Sequence, residues 1–168
     1  MTISIRAAEA RDLHRLVEIY NHYVTETHIT FDVEPFAVGA RTQWFTGFSA
    51  TGPYRLYVAE NDAAVIGYAS SSPFKARAAY NTSVETTIYL DPDWQRQGCG
   101  QRLYGHLIDE LVQEASVHRA YGGIAQPNPA SVRLHEKLGF VHVASYHEVG
   151  FKHGQFWDVH WYEKDVSQ

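Results

Sequence analysis

The residues of this chain whose types and spacing could carry chemistry begin with Glu85 and the run Gln95-Arg96-Gln97-Gly98-Cys99-Gly100. The run opens a long segment in which Leu103, Tyr104, Leu107, Ile108, Leu111, Val112 and Ala115 recur at helical spacing. The first N–H groups of a helix lack intrahelical partners, so a glycine turn at its start is a natural anion cradle. A phosphate-bearing cofactor is the ligand this suggests. Two glycines alone are weak evidence, because no third one completes a dinucleotide fingerprint. The residues upstream add weight. In Ser83-Val84-Glu85-Thr86-Thr87-Ile88-Tyr89-Leu90, one face of an extended segment takes Val84, Thr86, Ile88 and Leu90, and the other takes Glu85, Thr87 and Tyr89. A carboxylate on the polar face, just before the cradle, is placed to act as a general base. The alternative is a solvated strand glutamate.

Further candidates are spread along the chain. Asn128-Pro129 reads as a helix start, with Asn as the cap and Pro in the first helical position. His135 follows on that helix, where it either donates a proton or fills a helix–sheet seam. Lys75 and Arg77 lie just before the Glu85 strand and could pair with a carboxylate or another oxyanion; a solvated basic loop is the competing reading. Phe31, Phe74 and Tyr80 could wall a pocket or belong to the core. Arg96 could add a charge contact to phosphate or simply be solvated. The single cysteine, Cys99, permits no internal disulfide, and its place between two glycines suits a small space-filling residue. Of the ten histidines, His142, His147, His153 and His160 are scattered without a carboxylate pattern, so no metal site is expected.

The elements that must position these residues follow from periodicity. Ile3 to Ala7 reads as a strand, and Leu13, Leu16, Val17, Tyr20 and Val24 mark a helix. Pro35 to Phe48 gives a second, looser helix, with residues 27–34 between the two as a loop near the substrate. Tyr54 to Glu60 and Val65 to Ser71 form an antiparallel pair around Asn61-Asp62. The Glu85 strand, the cradle and the long helix come next. Ala120 to Ala125 is a further strand, and the helix after Asn128 stops at Gly139. Phe140 to Val149 and Phe156 to Glu163 close the chain as a hairpin around Lys152-His153-Gly154. Strands alternating with helices, with hairpins at both ends, predict an α+β domain on a mixed sheet.

Composition agrees with one domain spanning residues 1–168. The chain is 45% hydrophobic and 14% aromatic, which excludes a disordered protein. A net charge of −5 without a dense Lys/Arg run argues against a nucleic-acid partner. No apolar stretch approaches the roughly 20 residues that span a bilayer, and Met1 to Arg6 lacks a signal-peptide core, so a cytoplasmic protein is expected.

The pattern Gln95-x-x-Gly98-x-Gly100, then Asn128, then Leu134-His135-Glu136-Lys137-Leu138-Gly139-Phe140, resembles the acetyl-coenzyme A site of the GNAT superfamily of N-acetyltransferases. More narrowly, Pro73 to Tyr80, Val84-Glu85-Thr86-Thr87 and Gly150 to Gly154 resemble its phosphinothricin N-acetyltransferase branch, with relatives acting on methionine sulfoximine, methionine sulfone and arsinothricin. The resemblance implies a mostly antiparallel sheet whose central strands splay to admit the pantetheine arm of acetyl-CoA. It implies that Ile88, Tyr89, Leu90, Arg96, Gln97, Gly98, Cys99, Gly100, Gln101 and Asn128 hold that donor. Catalysis would fall to Glu85 as base, with His135 where the wider superfamily often has a proton-donating tyrosine. Phe31, Lys75, Ala76, Arg77, Tyr80, Glu85, Thr86 and Thr87 would bind a small amino acid analogue through direct transfer in a ternary complex. Acetylation of another amine, or an acyl-CoA sensor without turnover, are the other readings. A homodimer built on the aromatic C-terminal strands is expected.

Overall fold

A computed structural model describes residues 3–95 and 97–167. Seven strands form one sheet in the order β1-β2-β3-β4-β5-β7-β6. They are β1 (Ile3–Ala7), β2 (Leu56–Asn61), β3 (Ala64–Pro73), β4 (Ser83–Leu90), β5 (Arg119–Ala125), β6 (Val141–Lys152) and β7 (Gln155–Asp165). Every pairing is antiparallel except β4 with β5. That parallel pair requires a crossover, and α3 (Cys99–Val112) supplies it. The other helices are α1 (Leu13–Glu26), α2 (Thr42–Phe45) and α4 (Pro129–Lys137).

Alternation along β4 divides the molecule into two layers. Val84 packs with Leu103, Tyr104, Leu107 and Leu111 of α3 and with Phe140, forming the larger core. On the opposite face Tyr68 and Tyr89 join Leu16, Ile19 and Tyr23 of α1 in a second cluster. Glu85 shares that α1 face, because β-strand side chains alternate and Tyr89 lies four residues on.

The hairpin expectations hold. Asp62 and Ala63 close β2 to β3 with positive φ, and His153 (φ 52°) and Gly154 (φ 77°) close β6 to β7. Positive φ at both central residues matches the right-handed twist of the strands it joins. Two helical expectations are corrected. The segment 35–48 forms only a 3-10 turn at Val38–Arg41 and the short α2. The Asn21 amide takes both backbone groups of Phe36, each at 2.8 Å, so that part of the chain is held outside a helix. The long helix ends at Val112, before Ala115, where Glu114 accepts the backbone N–H groups of Ser116 and, through its carbonyl, Val117.

Candidate active site

The strands β4 and β5 are paired at only three positions, Ser83 with Arg119, Val84 with Ala120 and Glu85 with Tyr121. Beyond Glu85 they diverge: β4 continues on β3 alone and β5 on β7 alone. Each therefore turns an unpaired backbone edge to the gap, and such edges recruit an extended ligand as they would another strand. The gap is a cavity of about 560 Å³, bordered by Ile88, Tyr89 and Leu90 on one side and by Gly123, Ile124 and Ala125 on the other. Glu85 and Tyr121, the last paired positions, mark the closed end of the splay and lie outside the residues that border the cavity.

The open end meets the start of α3. Gly98 caps this helix at φ 78°, a left-handed conformation that side chains other than glycine rarely adopt, and no side chain caps the helix N-terminus. Its first N–H groups are thus left for an anion. Gly98, Gly100 and Gln101 border the cavity. A Cβ on Gly100 would sit 3.4 Å from Leu90 and 3.6 Å from Leu134, so the helix start is already close to both walls. Cys99 is fully buried with its thiol pushed up by desolvation, and only its backbone can serve a ligand. Exposed Gln97 turns its amide to the Asp93 carbonyl, 3.1 Å away. Arg96 lies outside the described residues. These groups fit the two ends of an acyl-CoA, with pairing edges for pantetheine amides and a helix N-terminus for pyrophosphate.

On the acceptor side, Glu85 sits beside an aromatic wall. Phe74 stacks on Tyr121 with centroids 4.4 Å apart and meets Trp161 edge-on at 5.9 Å. Trp161 lies over Gly123, where a Cβ would approach its ring within 3.1 Å, and its buried indole N–H has no acceptor among the described residues. Desolvation pushes the Glu85 carboxyl above the ordinary value, partly offset by the positive charge of Lys75. The Lys75 ammonium is also 5.2 Å from the Phe74 ring centre. Ala76, Arg77 and Tyr80 belong to the same exposed segment and do not border the cavity. Phe31, 36% exposed, packs on Gly150. Thr87 reaches Ser70 across the strands at 2.8 Å. Thr86 is not brought to this side. Its hydroxyl faces the α3 layer, 2.6 Å from the Tyr104 hydroxyl and 3.0 Å from the Tyr121 carbonyl.

The third border is α4. Asn128 caps it by accepting the Ser131 N–H at 3.1 Å, and both residues border the cavity. His135, 4% exposed, has its Nδ1 2.8 Å from the Ser131 carbonyl and its Nε2 3.0 Å from the Tyr104 hydroxyl. A carbonyl only accepts, so Nδ1 carries the hydrogen, and Tyr104 donates to Nε2. Burial lowers this imidazole to about 4, against a smaller upward effect of the Ser131 bond. In this arrangement the ring is neutral and both nitrogens are engaged.

Sequence periodicity gave no reason to single out Tyr23, Tyr104 or Pro127. Tyr23 sits on the core face of α1, yet its hydroxyl donates to the last carbonyl of β4, Leu90, at 2.5 Å and accepts from the Gln95 amide at 3.1 Å. Gln95 was legible as part of the glycine run; Tyr104 read only as one more apolar position of α3.

Comparison with known proteins places this geometry. The Acetyltransferase (GNAT) family profile matches residues 16–140. A phosphinothricin N-acetyltransferase of Streptomyces coelicolor is 51% identical over 166 residues, covering 98% of this chain and 96% of the relative. An L-methionine sulfoximine/L-methionine sulfone acetyltransferase of Salmonella typhimurium is 33% identical over 157 residues, 94% and 91% of the two chains. Among solved structures, a GNAT-superfamily phosphinothricin acetyltransferase from Sinorhizobium meliloti in complex with acetyl-CoA superimposes with a TM-score of 0.93 at 31% identity, covering 99% of this chain and 90% of that one. Among the described residues no group of three or more His, Cys, Asp and Glu side chains converges on a metal position, and no helix is long and apolar enough to cross a membrane. The splayed sheet, the glycine-capped helix and the matched profile make this chain a member of the GNAT family, an N-acetyltransferase that draws its acetyl group from acetyl-CoA.

Proposed function

We propose that the enzyme acetylates the α-amine of a small amino acid analogue of the phosphinothricin or methionine sulfoximine type, by direct transfer within a ternary complex. The observation that carries this reading is Glu85, a desolvated carboxylate at the closed end of the splay with Lys75 as its neighbouring charge. A typical amine is protonated near neutral pH and must lose a proton before it can attack a thioester. Glu85 accepts that proton, directly or through water, and the amine nitrogen then forms its bond to the acetyl carbon as the carbon–sulfur bond breaks. A thiol has a pKa of about 8.5, so the sulfur can depart as thiolate and be protonated by water in the open cleft. The Tyr104 bond and the Ser131 bond leave His135 no proton to give, and we assign it to holding the α3–α4 seam.

Backbone groups of Ile88, Tyr89 and Leu90 pair with the pantetheine arm, and the N-terminus of α3 with Gly98, Gly100 and Gln101 takes the pyrophosphate. Asn128 adds a polar group at the arm's edge. For the acceptor, Lys75 and Arg77 meet its carboxylate or tetrahedral head group, while Phe31, Phe74 and Tyr80 wall it. The names of the 51%- and 33%-identical relatives support this substrate class. A polyamine or aminoglycoside would meet Lys75 and Arg77 as like charges. The chain is also proposed to work as a homodimer, because β6 is an edge strand that leaves Val141, Tyr146, Val149 and Phe151 half or more exposed.

The test is thiol release from acetyl-CoA across phosphinothricin, methionine sulfoximine, methionine sulfone, arsinothricin, ordinary amino acids, a polyamine, an aminoglycoside and a short peptide. Turnover confined to the tetrahedral analogues is expected; a preference for the polyamine or peptide would overturn the substrate class. Lys75→Ala and Arg77→Ala are expected to raise the acceptor KM about tenfold while leaving the acetyl-CoA KM within about twofold, as loss of a charge-assisted bond to one substrate requires. An effect confined to acetyl-CoA would remove both residues from the acceptor site.

A further inference from the structure

Residues 27–32, which leave the end of α1, cross the splay on the face that carries Glu85. At one wall Thr30 lies 2.6 Å from the Tyr20 hydroxyl, which also donates to Asp32, and the Tyr20 ring meets Tyr89 of β4 edge-on with centroids 5.1 Å apart. At the other wall His28 Nε2 is 3.0 Å from the carbonyl of Pro127, just past β5. Ile29, between them, borders the cavity. With α3 and α4 on the opposite face, this strap is what covers the gap on the Glu85 side.

The end of the β6–β7 hairpin clasps the strap from outside. Lys152 is 3% exposed, and its ammonium donates to the Thr30 carbonyl at 2.7 Å and to the Tyr23 carbonyl, in the last turn of α1, at 3.5 Å. The His153 ring reaches the Thr27 carbonyl at 3.1 Å, and Trp157 stacks flat on His28 with centroids 4.1 Å apart. Phe31 lies on Gly150 so closely that a Cβ there would be 2.2 Å from its ring. Burying an ammonium against carbonyls alone is unfavourable. Among the described residues Lys152 forms no direct ion pair; desolvation lowers it, and the charge of Asp32 acts in the opposite sense. A methionine would fill this volume without the charge. What the ammonium adds is a fixed position for two backbone carbonyls of the strap and of α1.

We propose that Lys152 is a positioning residue for the acceptor: together with the bare face of Gly150 it locks the strap so that Phe31 closes the acceptor side of the splay. This rests on the reading that the acceptor amine enters on the Glu85 face. It predicts a split that a purely structural lysine would not produce. In Lys152→Met the acceptor KM rises about tenfold or more, because the Thr30 carbonyl loses its ammonium donor, the Tyr23 carbonyl keeps only the Thr27 hydroxyl at 2.8 Å, and the strap loosens. The acetyl-CoA KM stays within about twofold, since its binding groups lie on β4, α3 and α4. Lys152→Arg, which keeps a donor, recovers part of the loss. Gly150→Ala displaces the Phe31 ring without touching a buried charge and raises the acceptor KM in the same sense, so the proposal stays testable if Lys152→Met folds poorly. Equal rises in both KM values, or no change in either for the folded variants, would overturn it.

Should wild type turn over none of the acceptors above, the functional reading fails by itself, and the clasp is read without an acceptor. Chymotryptic cleavage after Phe31 or Phe36 is then expected to be faster in Lys152→Met than in wild type, and unchanged protection would overturn the clasp.

Discussion

Burial acts on two ionisable side chains of this site with opposite consequences. At Glu85 it raises the carboxyl, which makes a stronger base that is charged only once the pH exceeds its raised value. The acid limb of kcat/KM should therefore lie above the usual carboxylate range. At His135 it lowers the imidazole from 6.5 to about 4. The unfolded chain then takes up a proton at this residue before the folded one does, so the folded state is stabilised at and above pH 6.5 and loses that stability as pH falls towards 4. The expected loss is on the order of 2–3 kcal/mol across that window. Thermal melts of wild type and His135→Gln between pH 7 and 4.5 check it: the wild-type curve should fall more steeply, and parallel curves would show that folding leaves the imidazole unshifted. Glu85 was legible in the sequence because a polar residue on an alternating strand declares its face. The role of His135 was not, since its two readings differ only in the partners of its nitrogens, and those partners, Tyr104 and the Ser131 carbonyl, are set by packing.

Three elements make the site, and their legibility differs for a physical reason. The strand–glycine–helix unit β4 to α3 and the Asn128-Pro129 start of α4 depend on local rules, alternation and capping, and both stand where the residues place them. The strap of residues 27–32 depends on partners far along the chain, with Lys152 122 positions from Thr30, and periodicity carries no trace of such a contact. Likewise the segment 35–48 looked helical from its apolar spacing but is governed by Asn21 and by Arg41, whose guanidinium sits 4.2 Å from the Trp44 ring centre. The α4–β5 seam gives a sharp test at this scale. A Cβ on Gly122 would stand 2.5 Å from Nε2 of His135, a buried ring held at both nitrogens. Gly122→Ala is expected to destabilise the fold by about 1–3 kcal/mol, as overpacking does. Denaturant melts measure it, and a neutral substitution would mean that the α4 seam is loose.

At the scale of the whole molecule, the seven strands and four α-helices of the described residues serve mainly to hold one parallel pair apart. Had β4 and β5 continued to pair past Glu85, the sheet would have no free edge for a cofactor and no gap beside the base. The mixed sheet was legible from the order of strands and helices, and the splay followed from the resemblance to the acetyltransferases; no single stretch of sequence encodes it. Of the two outer edges of the sheet, β1 and β6, the second carries the exposed Tyr146 and Phe151, and Phe156 on β7 adjoins it with 60% of its surface exposed. Exposed aromatic rings on an edge strand are what the proposed association would cover. Phe156→Glu is expected to shift a dimer towards monomer in sedimentation equilibrium, and a wild type that sediments as a monomer would contradict the proposed assembly. Glu85 is the group on which the proposed transfer turns. The measurement that tests it most directly is the pH profile of kcat/KM for wild type and Glu85→Gln, with acetyl-CoA affinity determined in parallel. We predict a loss of about a hundredfold or more near neutral pH, a residual rate that climbs with the fraction of free amine, and unchanged donor affinity. An equal loss of acetyl-CoA binding, or a wild-type profile preserved in the variant, would contradict the assignment of Glu85 as the base.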